Sequence, residues 1–190
     1  METVHFTQRA FRTLLDCFAR PGTVGELERE YVVNGLYAET VTVCMSLFDG
    51  EVSFQTATEC QDINQSIRAL TGGQIKPLEQ ADFIIIPHGT EKEQLLKAVE
   101  AAKVGDLIDP QKSATIMIEL DGITPAIMAQ LSGPGIKKLE MVELAVYKEF
   151  IELRTNKNKE FPLGIDCILI ERSGRVIALP RTTSMNEVTN

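Results

Sequence analysis

A chain of 190 residues, 44% hydrophobic and 24% charged, has the composition of a globular protein. At this length folding buries roughly 70% of the unfolded surface, so no disulfide or metal staple is required. Its 27 acidic against 19 basic residues leave a net charge of −8, which argues against nucleic acid as a partner, because phosphate backbones demand clustered positive charge.

Along the chain, FTQRAFRTLLDCFARPG reads first as a helix. Phe11, Leu14, Leu15 and Phe18 fall at i, i+3, i+4 and i+7, Thr7 is the expected N-cap, and Pro21-Gly22 closes the element. LYAETVTVCMSLFDG is ambiguous, because Val41, Val43 and Met45 alternate like a strand over a length that suits a helix. A short strand, EVSFQT, follows the Asp49-Gly50 turn, and QDINQSIRALTGG predicts a helix stopped by Gly72-Gly73. ADFIIIPHG is continuously apolar, as strands covered on both faces are. TEKEQLLKAVEAA predicts a helix with Thr90 as N-cap and Glu93 completing a capping box.

SATIMIEL and PAIMAQLSG read as two strands joined by the DGITP turn, and LEMVELAVYKEFIELRTNKN, residues 139–158, as one long amphipathic helix. Two final strands lie in FPLGIDCILIERSGRVIALPRTT, and residues 184–190 are expected as a mobile tail. Interleaved helices and strands predict a layered α/β/α sandwich with a mixed sheet. No linker or internal repeat divides the chain, so residues 1–190 are read as one domain.

Two features could carry chemistry. Centring the final hairpin on Ser173-Gly174 makes paired positions sum to 347, so Ile170 faces Ile177, Ile168 faces Leu179, and Asp166 faces Arg181 at the open end. The other face then carries Ile165, Cys167, Leu169, Val176 and Ala178. Asp166 and Arg181 are either a structural ion pair or the start of an anion site, in which Arg181, Thr182 and Thr183 present donors. Pro180 lacks an N–H, so pairing is expected to stop there. The second feature is SGPGIKK, where Gly133 and Gly135 suit either a tight turn or a nest of backbone amides, followed by Lys137.

His88, where a loop leaves the IIIP strand, is a weaker candidate, structural or catalytic. The four cysteines form no C-x-x-C pair and the only histidines are His5 and His88, so no metal is expected. No apolar run approaches a bilayer span and the N-terminus lacks a secretory pattern, so no membrane partner is expected and the cytoplasm is the expected compartment. Catalytic residues cannot be assigned from the pattern.

Three stretches, FRTLLDCFARPGTV, LSGPGI and FPLGIDCILI…ALPRTT, resemble in order the H-subunit family of the bacterial carbon–phosphorus lyase system, which serves phosphonate catabolism. The resemblance implies a fold distantly like pyridoxal-phosphate-dependent transferases, without that cofactor. It implies a homodimer in isolation that joins G, I and J subunits in a core complex. That complex, with an ATP-binding-cassette-type partner, forms ribose 1-phosphonate 5-triphosphate from ATP and phosphonate. The family supplies no catalytic residue, so the implied role is an accessory subunit without activity of its own. The alternative is a free-standing cytosolic enzyme acting on a phosphorylated small molecule through Arg181, Lys137 and His88.

Overall fold

The structure, a computed structural model, describes residues 2–122, 124 and 126–188. Its frame is a seven-stranded sheet. Strands β2 (Ser53–Thr56), β3 (Gln74–Ile75), β4 (Phe83–Ile86), β5 (Thr115–Leu120) and β8 (Asp166–Glu171) run parallel. Antiparallel β9 (Arg175–Leu179) follows β8, and β1 (Gly25–Glu26) closes the edge, giving the order β1-β9-β8-β5-β4-β2-β3. Central strands buried on both faces explain the continuous apolar runs FIII and TIMI.

Alternate side chains feed two cores. Ile85, Met117, Ile168, Ile170, Val176 and Ala178 point toward helices α1 (Glu2–Ala19), α2 (Ala38–Leu47) and α3 (Gln61–Thr71). Ile84, Ile86, Ile116, Ile118, Cys167, Leu169, Ile177 and Leu179 point to the other layer. That layer holds α4 (Lys92–Ala101), α5 (Lys148–Lys157) and a second, antiparallel sheet, in which β6 (Ile127–Ser132) lies between β7 (Glu140–Leu144) and β10 (Ser184–Glu187). The architecture is α/β with a mixed sheet, as the interleaved elements predict.

Several local expectations are corrected. The first helix begins at Glu2, so Thr7 lies within it rather than capping it. Its buried face is Phe6, Ala10, Leu14 and Cys17, whereas Phe11 is 47% and Leu15 58% exposed. The ambiguous segment is helix α2, whose buried residues run consecutively from Glu39 to Cys44. A helix covered on nearly all sides has no amphipathic period to display. Glu91, not Thr90, precedes α4, and no side chain caps it; the Thr90 hydroxyl donates to the Pro87 carbonyl instead, 2.6 Å away.

The two strands around DGITP belong to different sheets and do not pair. The expected helix over 139–158 is a strand followed by a helix. Val142 and Leu144 are buried and their neighbours Met141 and Glu143 exposed, a period of two, before α5 begins at Lys148. Ser184–Glu187, read as tail, pairs with Ala129–Ser132, while residues 189 and 190 lie outside the described residues.

Candidate functional site

The hairpin register is shifted by one residue from the expected one. Ile170 pairs with Val176, Ile168 with Ala178 and Cys167 with Leu179, which places Val176 and Ala178 on the face of Ile168 and Ile170. The turn is the three-residue Arg172-Ser173-Gly174, with Gly174 at φ 100° in the left-handed region that this loop length requires.

Asp166 and Arg181 nevertheless meet. The ladder ends at Leu179, Pro180 has no N–H to offer, and Asp166 Oδ1 accepts the Arg181 backbone N–H at 2.6 Å. The guanidinium then closes on the carboxylate, Nη2 to Oδ2 at 2.6 Å and Nε to Oδ1 at 3.3 Å, while Nη1 donates to the Pro110 carbonyl at 2.6 Å. Both side chains are about four-fifths covered. Each guanidinium nitrogen already donates within the fold, so the arrangement reads as a joint between β8, the loop after β9 and the Pro110 turn.

The SGPGI turn packs against the same corner. A Cβ on Gly133 would stand 2.6 Å from the Thr182 carbonyl, and one on Gly135 2.4 Å from that of Ala19; φ is positive at both. These glycines permit backbone-to-backbone approach rather than presenting a free nest of amides. Thr183 is buried, Thr182 and Lys137 are exposed. Below the loop, buried Arg154 donates Nη1 to the Thr183 carbonyl at 2.9 Å and Nη2 to the Pro180 carbonyl at 2.7 Å. The structure thus brings Gly133, Asp166, Arg181, Thr182 and Thr183 together at the amino end of the parallel strands, with Gly135 against the end of α1 and Lys137 exposed two residues further on.

A second cluster occupies the opposite, carboxyl end, about 17 Å away along the six residues of β8. Open α/β sheets place ligands at such ends, and this cluster lies over β4, β5 and the β8–β9 turn, one step along the sheet from the point between β2 and β4 where strand order reverses. Glu119, near the end of β5, shares a strand face with Met117 and is directed at the start of α2. Its side chain is fully buried. Oε1 accepts the Tyr37 N–H at 2.6 Å, and Oε2 accepts the His88 N–H at 2.9 Å and lies 2.6 Å from His88 Nδ1. Removing a carboxylate from water costs several kcal/mol even after relaxation, and these donors offset it. The Tyr37 ring stacks on the imidazole at 4.5 Å between centroids and 11° between planes. Burial, then the carboxylates of Glu119 and Asp121, push the Tyr37 phenol above its ordinary value.

Around this pair a cleft is lined by Val32, Asn34, Tyr37, Arg29, His88 and Arg172. Arg29 is held by buried Glu39 and donates to the Arg172 carbonyl, which fixes the β8–β9 turn against the start of α2. His88 is the one residue of this cluster that the sequence marks. Glu119 was detectable only as a lone carboxylate inside the apolar strand TIMIEL, and its backbone partners are 82 and 31 positions away. Among the described residues no group of three or more His, Cys, Asp or Glu side chains is placed to hold a metal ion, and no helix is long and apolar enough to cross a membrane.

The sequence model of a family described as "Bacterial phosphonate metabolism protein (PhnH)" matches residues 1–186. A protein of Stutzerimonas stutzeri named C-P lyase subunit protein HtxG is 28% identical over 181 residues, 94% of this chain and 85% of that one. A Rhizobium meliloti protein named alpha-D-ribose 1-methylphosphonate 5-triphosphate synthase subunit PhnH is 27% identical over 189 residues, 97% of this chain and 92% of its own length.

Proposed function

This chain belongs to the PhnH family of bacterial phosphonate metabolism proteins, and from that premise we propose that it is an accessory subunit of a carbon–phosphorus lyase assembly. Its task is to support formation of ribose 1-phosphonate 5-triphosphate from ATP and a phosphonate, without turnover by the isolated chain. The observation that carries this reading is the match along residues 1–186, joined by two relatives aligned over nearly their whole lengths.

The finer parts of the reading follow from the family resemblance. The chain is one domain distantly like the pyridoxal-phosphate-dependent transferases, needs no cofactor, works in the cytoplasm, forms a homodimer alone and joins G, I and J subunits. We assign the corner around Asp166 and Arg181 to partner contact rather than to anion binding. The guanidinium is engaged in the fold, while Thr182 next to it and Lys137, two residues beyond Gly135, are exposed.

Native mass spectrometry of the chain alone and coexpressed with candidate G, I and J subunits tests the proposal. A dimer that enters a defined larger particle is the expected result. A chain that stays apart from those subunits, and turns over a phosphorylated small molecule by itself, would replace this reading with that of a free-standing enzyme.

A further inference from the structure

The His88 imidazole is held more firmly than a surface ring needs to be. A carboxylate can only accept hydrogen bonds, so the 2.6 Å contact to Glu119 Oε2 puts a proton on Nδ1. Tyr37 covers one ring face, yet the side chain is still 40% exposed. With Nδ1 turned to Glu119, Nε2 is the nitrogen left for the cleft, and it has no hydrogen-bond partner among the described residues. This is the orientation by which a buried carboxylate prepares an imidazole to meet a ligand.

Arg172 reaches the same cleft from the β8–β9 turn. Its carbonyl is used by Arg29, but its guanidinium makes no hydrogen bond or ion pair among the described residues. Of the neighbouring charges, Arg29 is paired with Glu39 and the buried Glu119 carboxylate accepts from His88, while Asp121, Glu143 and Glu171 line the pocket on the other side of Arg172. Arg172 is ion-paired with none of these carboxylates among the described residues, so its planar set of donors, suited to oxyanions, is free to turn to the cleft.

We propose that the cleft between Tyr37, His88 and Arg172 binds the tetrahedral oxyanion group, phosphonyl or phosphoryl, of a small molecule, with the Arg172 guanidinium and His88 Nε2 as donors. The choice of anion rests on the family reading above, while the donors are set by the geometry. Nε2 donates only when it carries a proton. A singly ionised phosphonate or phosphate brings that proton on one of its oxygens and transfers it to Nε2. The ligand becomes a dianion facing two cations, and no other reactant is needed.

The chain has two histidines, so the ring signals of His88 are assigned in a 1H–13C spectrum by comparison with His88→Gln. Methylphosphonate and inorganic phosphate are titrated separately into the isolated chain. The expected result is a saturable shift of His88, with His5 still, whose half-saturation rises about tenfold in Arg172→Gln as one charge-assisted hydrogen bond is lost. Either anion saturating supports the site, and tighter saturation by methylphosphonate identifies phosphonates as its source. A shift that grows without saturating, or that saturates alike in Arg172→Gln, overturns the proposal. Coexpression with the partner subunits separates the two readings. A wild-type chain that joins the assembly without a His88 response removes the site alone, and one that responds but never assembles removes the subunit reading alone.

Discussion

The joint at Asp166 and Arg181 makes a quantitative demand. Replacing Arg181 by Ala removes two donors from the carboxylate and one from the Pro110 carbonyl, but leaves the backbone N–H that Asp166 accepts at 2.6 Å. Breaking a fully buried pair costs about 3–5 kcal/mol. These side chains are 18–19% exposed, and water can replace part of what is lost, so about 2–3 kcal/mol is expected. Replacing Asp166 by Ala also strips the acceptor from the Arg181 N–H and leaves a cation with a single carbonyl partner, so it should cost more than Arg181→Ala. Urea unfolding of wild type, both single variants and the double variant gives the coupling directly, expected near 1.5–2 kcal/mol for neighbours in one charged network. A loss below about 1 kcal/mol for Arg181→Ala with no coupling would refute the structural joint and return the guanidinium to the list of anion donors.

Other expectations follow from equally local geometry. Gly135→Ala combines positive φ with a Cβ 2.4 Å from the Ala19 carbonyl and should lose about 3 kcal/mol or more in urea, whereas Gly89→Ala, also at positive φ but with open space around it, should lose only about 1. Cys17, Cys44 and Cys167 are buried and desolvation raises their thiols, that of Cys167 to about 11, so a disulfide reagent should find one fast thiol, Cys60, in the native chain and four after denaturation. Burial would raise the Asp82 carboxyl, but hydrogen bonds from Lys103 and Ser53 together outweigh it and leave it below the ordinary value. The stability it contributes is therefore complete above about pH 4 and lost as pH falls through the lowered value, so the difference between wild type and Asp82→Asn in chemical denaturation should be flat from pH 5 to 8 and shrink below about pH 4.

What could be read from the sequence depended on how many partners a residue needs. The first helix was legible, but its face was not, because Leu14 belongs to two apolar stripes. The sheet takes the stripe with the smaller side chains, and the backbone at Gly25 comes so near the helix that an added Cβ there would lie 2.5 Å from Thr13 Cγ2 and 2.8 Å from the Cys17 sulfur. The stretch from 139 to 158 looked helical throughout because LEMVEL satisfies both periods at that length, and pairing with β6 decides it. In the hairpin, Ser-Gly is compatible with two loop lengths that differ by one in register. The Asp–Arg meeting survived that error because Pro180 ends the ladder whichever register precedes it. The cluster at the carboxyl end was nearly invisible, since Glu119 acquires its meaning only from amides at positions 37 and 88.

The two ends of the sheet also explain why the family was easy to recognise and its chemistry hard. All three stretches that carry the resemblance meet at the amino end: Ala19 against Gly135, Gly133 against Thr182, and Gly164 against the Arg181 side chain. Close approaches at glycines tolerate few residue types, and this end of the sheet is built from them. If that end serves assembly and the other serves a ligand, variants should divide accordingly. Lys137→Glu reverses an exposed charge two residues beyond Gly135 and should weaken entry into the coexpressed particle while leaving the His88 response to methylphosphonate intact. Arg172→Gln should do the converse. Loss of both properties by either variant, in chains with unchanged urea midpoints, would show that the two ends serve one function and that their separation in the fold has no functional counterpart.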